Sequence, residues 1–212
     1  MSCDTTWATP LSLRICCLRD LARKRMQLVQ QRTLNILSIE NILARQLNLR
    51  LNAQRVRQLD NAAVSALRLP PHIECALMAN LAVMRTLQAQ IHAIETVLHR
   101  TVKLRPEFAI LKTAPGIGET LATTIMLETG SIDGKKKGEG NAKSGNKYLS
   151  WAFIEAAAVA MRSCPQARRF YERKKARRMP VVTMKALAHK LARAAFYMLR
   201  DGKPFEVTKC FG

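Results

Sequence analysis

At 212 residues with 48% hydrophobic content, the chain is long enough to bury a core in one domain or two small ones, which excludes a disordered tail. Lys and Arg number 35 against 15 Asp and Glu, and the formal charge of +20 implies a polyanionic partner, because self-repulsion of that size otherwise has no counterweight. Six cysteines without a C-x-x-C pair and four histidines without ligand spacing argue against a zinc site, and for reduced thiols in a cytoplasm over a disulfide framework.

The charge is unevenly placed: residues 1–60, 61–130 and 131–212 carry +6, +1 and +13, so the C-terminal part is the expected polyanion binder. Residues 1–10 read as irregular. A short apolar run at 11–18 is interrupted by Arg14 and no cleavage-like site follows, so neither a signal peptide nor a membrane span is expected. Residues 13–49 contain no Gly or Pro, and Ala22, Val29, Ile36 and Leu43 recur every seven residues. That spacing predicts a long helix with a coiled-coil-like stripe, although the companion positions Met26, Thr33, Glu40 and Leu47 are only half apolar.

Residues 52–60 read as a further helix, closed off by Pro70-Pro71. A second long helix is predicted over 72–103, where Leu77, Leu81, Met84, Leu87, Ile91, Ile94, Leu98 and Val102 step by three or four. It pairs either with the first helix as an antiparallel hairpin or with a second copy of the chain. The arm so formed covers residues 1–104, and a compact domain follows over 105–212.

Arg105-Pro106 breaks the second helix, and Pro115-Gly116-Ile117-Gly118 then joins two helical stretches. Gly116 suits a left-handed helix end, and Gly118 lets the turn approach a ligand before the next helix starts. The free N–H groups of such a helix start favour an anion. The pattern resembles the helix-hairpin-helix motif, which holds DNA phosphates and reads no bases, so Gly116, Ile117 and Gly118 are candidate DNA contacts. An ordinary corner between helices uses the same residues. Phe108 and Leu111 before the turn, with Ala122, Ile125 and Met126 after it, provide both arms of the turn with a packing face.

The stretch 134–147 holds four glycines and five lysines, and adds Lys135, Lys136, Lys137, Lys143, Asn146 and Lys147 as phosphate candidates. A helix over 148–162 presents Trp151, Ile154, Glu155 and Ala158, and its alanines suit close packing. The helix that starts at Pro165 ends in the strongest local polyanion signal of the chain: Arg168, Arg169, Arg173, Lys174, Lys175, Arg177 and Arg178, with Phe170 and Tyr171 interleaved. The last helix, 181–200, buries Leu187, Leu191, Ala194, Ala195 and Leu199 and leaves Lys185, Lys190 and Arg193 outside, with Asp201-Gly202 as its cap. No strand-like alternation of useful length occurs, so the expected fold class is all-α, a helical arm followed by a compact helical domain.

Leu104-Arg105-Pro106-Glu107-Phe108, Leu111-Lys112-Thr113, Pro115-Gly116-Ile117-Gly118 and the run from Thr124 to Gly130 together resemble the C-terminal half of the DEDD transposases of bacterial insertion sequences. That family is related to the Piv-type invertases and includes the bridge-RNA-guided recombinases. Gly134 to Glu139, Gly145 to Leu149, Arg169-Phe170-Tyr171 with Lys174-Lys175-Ala176, and Lys185 to Ala192 continue the series in order, and Leu28 to Thr33 extends it into the arm. The resemblance implies a transposase acting on insertion-sequence ends, with DNA as partner, a structured RNA as a further one, oligomerisation through the arm, and a bacterial cytoplasmic, nucleoid-associated location. Full-length members of the family begin with an RNase H-like domain whose four acidic residues hold divalent metal, Mg, for strand cleavage. Asp4, Asp20, Glu40 and Asp60 do not rebuild such a domain, so no cofactor is expected in this chain.

The family's serine nucleophile lies in a segment that only Ser131-Ile132-Asp133 replaces here. Neither Ser131 nor Ser144 has a base beside it, so no catalytic residue is assigned. The expected function is a truncated transposase that binds DNA and is catalytically incomplete by itself. Two alternatives stand beside it: a non-enzymatic DNA or RNA binder that modulates a full-length transposase, and a structure-specific nuclease, which lacks an acidic cluster in the sequence to support it.

Overall fold

The computed structural model describes residues 11–129 and 145–212, with side chains from Cys16 onward. Every regular element among them is a helix. Two compact units emerge: Arg23–Val97, and a second that gathers the described residues up to Ala22 with Leu98–Gly212. The division falls inside the two long helices, α1 (Leu11–Leu47) and α4 (Pro71–Val102), where the sequence puts a single boundary at 104/105.

In the first unit α1 and α4 form an antiparallel hairpin within the chain. Arg25 pairs with Glu95, Arg32 donates to Gln88, and Asn80 donates to Ser38, so the position on one helix rises as that on the other falls. Ile36, Ile39 and Leu43 of α1 are buried against Leu77, Leu81 and Met84 of α4. Each fully buried aliphatic side chain contributes about 1.5–3 kcal/mol, against at most about 1 kcal/mol for an ion pair as accessible as Arg25–Glu95. The apolar seam therefore holds the hairpin, and the polar contacts set its register. The heptad stripe is buried at Ile36 and Leu43, while Thr33 and Leu47 are exposed and Ile39 takes the intervening place.

Helix α1 ends at Leu47 because Asn48 turns left-handed at φ 51° and the Leu49 N–H reaches back to the Leu43 carbonyl at 3.3 Å. The polar stretch after it forms two short helices, α2 (Ala53–Gln58) and α3 (Asn61–Ser65), each started by a side-chain cap. Asn52 accepts from the Arg55 N–H and Asp60 from the Ala63 N–H, so α2 fills the stretch expected to be helical and Asp60 starts a further helix that the sequence reading does not include. Val56 and Val64 close the core of this unit.

The second unit is organised around α7 (Lys147–Ser163), which packs against α6 (Glu119–Thr129), α8 (Pro165–Lys175) and α9 (Pro180–Asp201). A short α5 (Pro106–Lys112) rests on α6 and α9, and α10 (Val207–Phe211) rests on α8 and α9. The inner surface of α7 is Ala152, Phe153, Ala156, Ala157 and Ala160; Trp151 and Ile154 are half-buried and Glu155 is exposed. Short side chains on α7 let neighbouring backbones come close.

The turn between α5 and α6 uses that space. Gly116 has φ 81°, and a Cβ placed on it would lie 2.1 Å from the Ala156 carbonyl oxygen and 2.8 Å from the Ala160 nitrogen. Both obstacles are backbone of a packed helix, so neither can swing aside. A Cβ at Gly118 would meet nothing within 4 Å.

Gly116→Ala is expected to cost at least about 3 kcal/mol, from the strained φ together with displacement of α7. Gly118→Ala is expected to leave the melting temperature within a few degrees or raise it, since fewer unfolded conformations are then lost on folding. Thermal unfolding followed by circular dichroism checks the pair. Equal effects at the two positions contradict the close approach of Gly116 to α7.

Candidate nucleic-acid interface

The turn that the sequence marks for phosphates divides between two tasks. Gly116 and Ile117 face inward: Gly116 abuts α7 and Ile117 is buried. Gly118 is exposed where α6 begins. Beside it Glu119 occupies the first turn of α6, a position that the helix dipole favours for a carboxylate. Lys112 donates to Glu119 at 3.0 Å and His99 Nε2 lies 3.6 Å away. The Lys112 hydrogen bond and charge, with the charge of His99, hold the Glu119 carboxyl below its ordinary value. A phosphate arriving at this helix start meets a carboxylate partly neutralised by its own neighbours.

Thr113 anchors the turn from the other side. Its hydroxyl donates to the Ile110 carbonyl at 2.7 Å and accepts from the Phe205 N–H at 2.8 Å, tying the turn to the segment after α9.

Lys135, Lys136, Lys137 and Lys143 lie outside the described residues, as do Ser131 and Ser144. Asn146 is a structural cap: its Oδ1 accepts from the Tyr148 and Leu149 N–H groups, and its Nδ2 donates to Glu128 of α6 at 2.6 Å. That leaves the amide little capacity for a phosphate. Lys147 is exposed, with its ammonium 5.2 Å from the Tyr148 ring centroid.

On α8 the residues Ala167, Phe170 and Tyr171 form the inner stripe, at offsets of three and four. The two aromatics interleaved with the basic residues are therefore core, 8% and 7% exposed. Arg168, Arg169, Arg173, Lys174 and Lys175 are all exposed, and Arg177 and Arg178 continue the charge in the turn after α8. The helix stops at Lys175, three residues before the basic run ends, because Pro180 opens α9 and Met179 before it is extended at ψ 145°. Arg168 donates to the Met161 carbonyl at 3.2 Å, and Lys174 and Lys175 lie over the Phe170 and Tyr171 rings at 5.5 and 6.0 Å. Among the described residues no carboxylate forms an ion pair with Arg169, Arg173, Arg177 or Arg178.

Three further cations gather beside this surface, two of which the sequence already leaves outside. Lys190 and Arg193 of α9 and Lys203 after it line a cleft beside Lys174. The spacing on α9 marks Lys190 and Arg193 as outward-facing, but Lys203 lies past the end of α9, in a tail too short for a recognisable period. On α9 itself Leu187, Leu191 and Ala195 are buried as expected, while Met198 takes the place expected of Leu199.

Among the described residues no three His, Cys, Asp or Glu side chains gather where a metal ion could be held. No described helix is long and apolar enough to cross a membrane. No protein-family model matches the chain, and no curated protein matches it.

Glu119→Gln is expected to raise affinity for duplex DNA about threefold at low salt, as one repelling charge leaves the start of α6. The lowered carboxyl also contributes stability above its ordinary value, and this contribution is lost as pH falls through the lowered one. The same variant is therefore expected to flatten the acid limb of the unfolding profile. Unchanged DNA affinity would show that DNA does not approach α6.

Proposed function

We propose that the C-terminal unit holds the phosphate backbone of DNA, and that it serves as the DNA-holding part of an insertion-sequence transposase. The observation that carries this is the outer face of α8 and the turn after it, where exposed guanidinium groups have no carboxylate of the chain to pair with among the described residues. Like charges on one short helix repel and lower its stability, and a polyanion removes that cost by releasing its own counterions. Phe170 and Tyr171 are turned inward, so this face offers charge without rings. Such a face suits phosphates and carries no base sequence.

The transposase context comes from the ordered motifs spread from Leu28 to Ala192. Leu34 and Leu37, one turn apart on α1 and 66% and 47% exposed, favour association of the arm with a second copy.

Fluorescence anisotropy with a random-sequence duplex tests the DNA grip. Affinity is expected to fall by at least about tenfold between about 50 and 200 mM salt. Replacing Arg169, Arg173 and Arg178 by Gln is expected to reduce the slope of log affinity against log salt by about 0.9 per charge. Salt-independent binding, or a slope unchanged in the triple variant, overturns the assignment. Binding of insertion-sequence ends by the full chain is expected in the same assay, and its absence overturns the transposase assignment.

A further inference from the structure

Between α8, α9 and the tail after Gly202 lies a cleft of about 730 Å³, within the size range of sites that take small ligands. Five cations line it against two carboxylates, Asp201 and Glu206. Both carboxylates are engaged, Asp201 by Arg200 at 2.6 Å and Glu206 by Lys209 at 2.9 Å. Arg193 and Lys203 hold no ion pair among the described residues.

Lys190 is half-buried, its ammonium 5.0 Å from the Phe170 ring centroid and 5.9 Å from that of Phe211. The two rings touch each other, with centroids 6.1 Å apart, and an ammonium resting against the pair gives up part of its side-chain freedom, so an anion binds it at reduced entropic cost. Aromatic surface continues along the cleft in Phe205, half-buried, and Tyr197, 44% exposed. Burial raises the Cys210 thiol above its ordinary pKa against the pull of Lys190.

The two kinds of lining select between ligands. A bare phosphate satisfies the cations and leaves the rings in water, while an apolar molecule covers the rings and leaves the cations without a counter-ion. A ligand with a phosphate and a flat ring uses both. A base inside a duplex is stacked on both faces and cannot enter, whereas an unpaired one can. We propose that this cleft receives an unpaired nucleotide of a nucleic-acid strand, its phosphate at Lys190, Arg193 and Lys203 and its base against Tyr197 and Phe205. The proposal rests on the nucleic-acid-binding function assigned to this unit and adds to it a site separate from the outer face of α8. DNA and RNA strands share the chemistry required.

The test uses the full chain and short single-stranded DNA and RNA probes, each with one 2-aminopurine, beside a blunt duplex of the same sequence. Quenching of the 2-aminopurine by the unaltered protein is expected with one strand type or both, and the stronger response names the source. Arg193→Gln with Lys203→Gln removes two exposed, unpaired charges and leaves the core untouched. It is expected to weaken single-strand binding about tenfold at 0.1 M salt and duplex binding by less than about twofold. Tyr197→Ala is expected to abolish the quenching and Tyr197→Phe to keep it, a contrast that lost charge or lost folding does not produce. Duplex binding without single-strand binding, single-strand binding without quenching, or equal losses on both ligands in the double variant overturns the cleft assignment and leaves the duplex grip standing. Binding of neither ligand overturns both, and quenching by single strands without duplex binding supports the cleft while refuting the duplex grip.

Discussion

The Cα of Gly116 stands so near α7 that an added methyl group would meet the Ala156 carbonyl oxygen at 2.1 Å, and the architecture of the C-terminal unit depends on that approach. It requires a glycine on one side and alanines on the other. With both present, the α5–α6 turn sits directly on the backbone of α7. From there the connections spread: α6 reaches α7 again through Glu128 and the Asn146 cap, and Thr113 ties the turn to Phe205 beyond α9. One close contact between backbones thus positions the start of α6, the cap of α7 and the tail that walls the cleft.

This packing also explains how so basic a unit folds. The interior of α7 and α8 is built from alanine and aromatic carbon, so the Arg and Lys side chains are displaced outward and remain solvated. Few carboxylates accompany them, and several of those are spent locally: Glu119 on Lys112, Asp201 on Arg200, Glu206 on Lys209. Among the described residues the surplus charge of this unit is consequently concentrated on α8, on α9 and in the turn between them. Core packing and an anion-receptive surface are two faces of the same helices.

The helical arm was legible almost in full, because an amphipathic period repeated over ten turns averages out the exceptions. Leu77, Leu81, Met84, Ile91, Leu98 and Val102 are buried where the period puts them. The partner of that seam was open between an intrachain hairpin and a second copy. The pairing of Arg25 with Glu95 and of Arg32 with Gln88 supplies the antiparallel hairpin, since it needs side chains seventy and fifty-six residues apart to meet. The candidate site was legible in part. The basic run at 168–178 is exposed as its charge suggests, yet its aromatics are core, and Asn146, which reads as a phosphate contact, works as a helix cap.

Sequence alone determined the all-helical class, the exposure of the basic run and the left-handed glycine of the turn, because periodicity, charge and backbone freedom are local properties carried by residues a few positions apart. Tertiary structure alone decided that Gly116 serves α7 while Gly118 stays open, and that Lys190 rests against the paired rings of Phe170 and Phe211. Those outcomes depend on which segments distant in the chain are brought to van der Waals contact, and no pattern within one helix encodes the identity of its neighbour.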